Sequence, residues 1–171
     1  MHYIYCPKCG EKLTERPAGD DGMVPYCESC QRYWFDCFDS CIIALVYNEY
    51  DEILLERQSY LSSQYMTFVS GYITPGESAE ECTYREIKEE TGIEAEKLEL
   101  ICTEWFARRE QLMHGFIAFA RKADITCSKE IDEARWINYR EAQQYMFPIT
   151  NKSTLSTLYQ RFCKEKEEGL R

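Results

Sequence analysis

Short apolar runs broken by polar turns dominate the chain beyond residue 40. CIIALVY (41–47) and EILLER (52–57) are rich in aliphatic and β-branched residues, and the polar NEYD between them predicts a hairpin. MTFVSGYI (66–73) predicts a third strand, and LELICTEWFA, HGFIAFAR and EARWIN predict three more. Helical spacing takes over in three places. Ser78 with Glu81 has the Ser-x-x-Glu spacing of a capping box and Gly92 is a natural stop, so Ser78 to Thr91 is predicted helical. REAQQYM (140–146) predicts a second helix. TNKSTLSTLYQRFCKEKEEG (150–169) predicts a third, with Leu155, Leu158, Tyr159 and Phe162 on one face. Strands interleaved with helices place the chain in the α/β class.

The first 36 residues do not share this pattern; cysteines punctuate them instead. Cys6, Cys9, Cys27 and Cys30 form CPKC and CESC, each able to make a tight knuckle with two thiolates aimed at one ion, and Gly10 supplies permissive backbone after the first. Two knuckles make a four-cysteine zinc site. Such a site is closed, so its Zn2+ is structural, standing in for a core that so short a segment cannot build. Two local disulfides or four buried thiols are the alternatives, and neither accounts for the doubled spacing. Cys37, Cys41, Cys82, Cys102, Cys127 and Cys163 follow no ligand pattern.

Composition bounds the rest. With 171 residues, 44% hydrophobic and 14% aromatic, the chain has room for one core and a small appendage, read as 1–36 and 37–171. A net charge of −10 argues against non-specific binding to nucleic acid or anionic membrane. Residues 1–36 are themselves slightly acidic, which argues against DNA binding by the cysteine module. No stretch approaches the roughly eighteen apolar residues of a span, and MHYIYCPKCG lacks a signal-peptide core, so a soluble, cytoplasmic protein without a membrane partner is expected.

Against that negative background, carboxylates concentrate on the first predicted helix. Glu86, Glu89 and Glu90 stand at i, i+3 and i+4, where like charges repel unless something neutralises them. A divalent cation is the economical neutraliser, and oxygen ligands without His or Cys select Mg2+ or Mn2+. Softening by Arg85 and Lys88 on an ordinary solvated helix is the alternative. His2 and His114, the only histidines, sit in no recognisable Ser or Cys constellation. Tyr72, Trp105, Phe106 and Phe35 are candidates to stack on a base, with core packing the alternative use of each.

Gly71, Glu77 and Arg85-Glu86-Ile87-Lys88-Glu89-Glu90-Thr91-Gly92-Ile93 resemble the Nudix box, Gx5Ex7REUxEExGU with U aliphatic, at every defined position. The resemblance to Nudix hydrolases runs from about Cys41 to the last helix and implies an α/β/α sandwich around a mixed sheet, preceded here by the zinc ribbon. It implies divalent-metal-dependent hydrolysis of a nucleoside diphosphate linked to another group. It also implies Glu86, Glu89 and Glu90 as catalytic metal ligands, Arg85 as their orienting residue and Glu77 as support behind them. A ribbon directly before such a domain is similar to the NADH pyrophosphatases. That comparison implies Glu130, with Glu133 as fallback, as a further ligand, NAD(H) or an ADP-ribose-like compound as substrate, and a homodimer. The stretch CTEWFARREQ lacks the Ser-Gln-Pro-Trp-x-x-Pro-x-Ser motif of those enzymes. A non-catalytic Nudix metabolite sensor signalling through the ribbon is the alternative function.

Overall fold

The computed structural model describes residues 3–150 and 153–171; His2 lies outside them. The chain divides into two compact units, Met1–Phe38 and Asp39–Arg171.

In the first unit, β1 (Thr14–Pro17), β2 (Met23–Cys27) and β3 (Arg32–Tyr33) form an antiparallel sheet in that order. Gly22 closes the β1–β2 connection at φ 74°, a left-handed conformation that suits glycine. Arg16 and Glu28 pair across the sheet at 2.6 Å, and the Tyr33 hydroxyl donates to the Pro17 carbonyl at 2.8 Å. Among the described residues of this unit, Val24, Cys6 and Cys27 are the buried hydrophobic ones, far too few to hold it by burial alone.

The second unit is built on a six-stranded sheet of β4 (Asp39–Tyr47), β5 (Glu52–Arg57), β6 (Val69–Tyr72), β7 (Lys97–Phe106), β8 (Gln111–Phe119) and β9 (Glu133–Asn138). The path runs β7-β8-β4-β5-β9, with β6 also paired to β4. Only β4 and β8 run parallel, so the sheet is mixed. Alternation along β4 sends Ile43 and Leu45 to one face and Ile42, Ala44 and Val46 to the other. Helix α3 (Thr154–Glu167) covers the first face through Leu155, Leu158, Tyr159 and Phe162; α1 (Ala79–Thr91) covers the second through Cys82 and Ile87. This is the expected α/β/α sandwich.

The capping box at Ser78 and Glu81 is present, and Gly92 ends α1 in the left-handed region at φ 73°. The NEYD hairpin closes with Asn48 accepting from the Tyr50 amide and Asp51 at φ 60°. REAQQYM departs from expectation: α2 (Tyr139–Ala142) is a single turn. The Met66 amide donates to the Tyr145 carbonyl at 2.8 Å and the Phe147 amide to the Met66 carbonyl at 3.3 Å, so bonding to a distant segment draws the chain out of the helix. That bonding also takes up the start of MTFVSGYI, leaving Val69–Tyr72 as strand. No helix among the described residues is long and apolar enough to cross a membrane.

Candidate functional site

The four cysteine sulfurs of the first unit lie within 4.8 Å of one another. Cys6 to Cys30 is 3.9 Å and Cys9 to Cys27 is 3.5 Å. A tetrahedral zinc with Zn–S bonds near 2.3 Å needs sulfurs about 3.8 Å apart, so the donor set fits. The first knuckle is shaped by the Gly10 amide donating to the Cys6 carbonyl at 2.8 Å, and in the second the Cys30 amide donates to the Cys27 sulfur at 3.3 Å. Burial pushes the Cys6 thiol up, but the amides of Cys9 and Lys8 outweigh it and bring it down to about 6. The hydrogen bond with Cys9, followed by burial, pushes Cys30 up to about 12. Four sulfurs packed this closely share one ion more readily than they stand as separate thiols.

In the second unit, Arg85 is the hub of the carboxylates. Its Nε and Nη2 donate to the two oxygens of Glu77 at 2.9 and 2.6 Å, and its Nη1 donates to Glu86 at 2.8 Å and to Glu89 at 3.0 Å. Its Nη2 also donates to the Tyr72 carbonyl at 3.2 Å, tying α1 to the end of β6. Hydrogen bonds from Arg85, then from the Thr74 amide, hold the Glu77 carboxyl well below the usual range. Fixed on its far side, Arg85 presents Glu86 and Glu89 in one geometry.

The glutamates of α1 differ sharply in environment. Glu89 is exposed, Glu86 is mostly enclosed, and Glu90 is buried, only 6% exposed. Burial raises Glu86 against the pull of Arg85. Burial, then repulsion from Glu86, pushes Glu90 up to about 8, and Glu130 adds to the rise. The loop carrying Glu130 is tied to the end of α1, the Thr126 amide donating to the Thr91 carbonyl at 2.9 Å and the Ser128 amide to the Glu90 carbonyl at 3.0 Å. Glu133 is instead engaged by Arg57 at 2.6 Å and Arg135 at 3.5 Å.

Gly71 shows why the segment opens with glycine. A Cβ there would sit 2.1 Å from the carboxyl carbon of Glu86, so the carboxylate occupies the place of a side chain. Gly71→Ala is expected to displace Glu86 and keep the fold, because the far end of a flexible side chain can move aside. Divalent-ion affinity should fall about tenfold, as when a ligand's supporting contact is lost; calorimetric titration with Mn2+ checks this.

The aromatic candidates separate. Tyr72, Trp105 and Phe106 share one end of the large sheet, half-exposed at the ends of β6 and β7; Gln111, paired with Phe106, donates to the Tyr72 hydroxyl at 2.8 Å. Phe35 belongs to the first unit, where its ring tilts against Tyr33 at 6.4 Å. The parallel pairing of β4 and β8 brings His114 within 3.0 Å of Ser40, a contact that sequence spacing concealed. Among the described residues no carboxylate hydrogen-bonds His114 to complete a triad.

Sequence reasoning missed Glu56 and Gln58. Gln58 Nε2 donates to Glu56 at 2.9 Å and to Glu90 at 3.1 Å, joining β5 to α1. Burial, then repulsion from Glu90, raises Glu56 well above the usual carboxylate range. A signal existed: Leu54 faces α1, and period-two alternation puts Glu56 on the same face with Gln58 next in step. Tyr60, with an exposed ring, completes the surroundings; burial and the charges of Glu90, Glu130 and Glu56 raise its hydroxyl.

The family model described as the NUDIX domain matches residues 38–158. The chain is 30% identical over 138 residues to the NAD-capped RNA hydrolase NudC of Pseudomonas fluorescens (strain Pf0-1), covering 80% of this chain and 49% of that protein. It is 35% identical to Nudix hydrolase 19, chloroplastic, of Arabidopsis thaliana, covering 96% of this chain and 40% of that protein. The chain therefore spans about half the length, or less, of these curated relatives. Among solved structures, a NUDIX hydrolase from Nitrosomonas europaea superposes with a TM-score of 0.73 at 17% identity, covering 98% of this chain and 94% of that one, a likeness of fold.

Proposed function

The chain belongs to the NUDIX domain family, and from that premise we propose that it is a Mg2+- or Mn2+-dependent hydrolase of a nucleoside diphosphate linked to another group, acting on a dinucleotide such as NAD(H) or an ADP-ribose-like compound. The observation that carries this reading is the pair of buried carboxylate oxygens of Glu90 and Glu56 that have no hydrogen-bond donor, with Glu86 and Glu89 of α1 oriented by one arginine. Orphaned hard oxygens among carboxylates fit a divalent cation. Glu86, Glu89 and Glu90 would hold it, with Glu130 from the tethered loop. When bound, such an ion would supply water activation and offset charge on the non-bridging phosphoryl oxygens.

The chain's own residues do the positioning. Arg85 spends its donors on Glu77, Glu86, Glu89 and the Tyr72 carbonyl, so its role in this reading is to orient ligands. Tyr72, Trp105 and Phe106 offer flat surface for a base at one end of the sheet. In the first unit, Cys6, Cys9, Cys27 and Cys30 would hold a structural Zn2+ without an open position for chemistry.

NAD-capped RNA is a second reading, favoured by the name of the NudC relative. The net charge of −10 weighs against a long polyanion. A metabolite sensor is the third, and it has no need of a complete carboxylate set. Turnover of NADH, NAD, ADP-ribose, diadenosine polyphosphates, nucleoside triphosphates and NAD-capped RNA with Mg2+ or Mn2+ separates the three. Cleavage of NADH or ADP-ribose into two phosphorylated halves is expected. Preferential cleavage of the capped RNA would select the second reading, and tight binding without turnover of any would select the sensor.

A further inference from the structure

At the seam between β5 and α1 three buried oxygens have no hydrogen-bond donor: one from Glu56, one from Gln58 and one from Glu90. The residues are 0%, 2% and 6% exposed, so bulk water does not satisfy these atoms. Leaving a single buried acceptor unpaired is costly, and burying two carboxylates side by side is costlier. The arrangement is nonetheless held firmly. Glu56 is locked into its strand by reciprocal backbone bonds with Thr67 at 3.0 and 2.7 Å. Gln58 Nε2 clasps one oxygen of each carboxylate, which leaves the other oxygen of each orphaned. Arg85, the nearby guanidinium, donates to Glu77, Glu86, Glu89 and the Tyr72 carbonyl and neutralises neither Glu56 nor Glu90.

We propose that Glu56 is a divalent-cation ligand contributed by the sheet, joining Glu90 across the seam, with Gln58 as the positioning residue that holds both carboxylates. The inference rests on the reading of Glu90 as a metal ligand and extends it to residues outside the helix. Two carboxylates with no His or Cys beside them make an all-oxygen set, which suits Mg2+ or Mn2+ and not zinc. A ligand on β5 also has a physical use. A cation held by α1 alone could move with the side chains of one helix, whereas one held from the strand as well is fixed to the rigid sheet.

The test is Mn2+ titration of the zinc-loaded full chain by calorimetry, with thermal unfolding measured with and without Mn2+. Glu56→Gln is expected to weaken Mn2+ binding at least tenfold and to shrink the Mn2+-induced rise in Tm. Without Mn2+ it should unfold no earlier than the parent, because it removes repulsion from Glu90; a purely structural role would lower that Tm and leave the affinity alone. Parental Mn2+ affinity in Glu56→Gln, with affinity lost in Glu90→Gln, would overturn the proposal and leave the helix ligands standing, the two carboxylates then being satisfied by a shared proton. Parental affinity in both variants would overturn the metal reading of Glu90 as well. Should Glu56→Gln fail to fold, Glu56→Ala, which leaves room for water, reads out the same affinity with the same two outcomes.

Discussion

Glu90→Gln is expected to lower turnover at least about a hundredfold while leaving the fold intact, because it removes charge from the proposed metal set and keeps the side-chain volume. The stability half of this expectation follows from the environment. Glu90 is 6% exposed, its second oxygen has no donor, and the charges of Glu86 and Glu130 oppose its ionisation. A neutral amide relieves that repulsion, so the metal-free variant should melt no lower than the parent. Glu86→Gln should show a comparable loss of turnover, since Glu86 is placed by Arg85 and by the missing side chain at Gly71. Steady-state kinetics on the best substrate, with Tm measured beside them, check both variants. Near-normal turnover in the two together would remove the assignment of these glutamates.

Cys27→Ser should have the largest structural effect in the chain. Cys27 is fully buried, its sulfur lies 3.5 Å from that of Cys9, and it accepts the Cys30 amide. The first unit has little apolar core, and a structural zinc supplies on the order of 10–16 kcal/mol of apparent binding free energy in small modules of this kind. Loss of one thiolate is therefore expected to release the ion and unfold residues 1–38. The second unit keeps its own transition, because both of its hydrophobic clusters are built wholly from its own residues. Elemental analysis should find about one zinc per chain before the substitution and almost none after it. Limited proteolysis should then cut the amino-terminal segment and spare the rest. Protein purified under reducing conditions without zinc would disprove the zinc site.

Most strands were legible because their signal is local. EILLER and EARWIN are strands over the residues their composition marks, and Ser78, Glu81 and Gly92 delimit α1 by capping chemistry that lies within a few residues of each end. REAQQYM carries an equally local helix signal that is overruled, since the Met66 amide, from a distant segment, donates to the Tyr145 carbonyl within it. The candidate site divides in the same way. Glu86, Glu89, Glu90 and Arg85 stand close together in sequence at helical spacing, whereas Glu56 sits thirty-odd residues from Glu90 on an ordinary-looking strand, and the Gln58 clasp that joins them spans that separation.

The sequence by itself determined the chemical inventory: two CxxC pairs, a run of carboxylates with one arginine on a capped helix, and alternating strands to carry them. Each of these rests on near-neighbour geometry, which residue spacing encodes directly. Only the tertiary structure decided how that inventory is divided. It buries Glu90 and leaves Glu89 in solvent, commits Glu133 to Arg57 while the loop of Glu130 is tied to α1, and sets Glu56 behind the helix. Burial and repulsion depend on which residues from distant segments come to lie within a few ångströms, and sheet order and helix packing, not spacing along the chain, settle that.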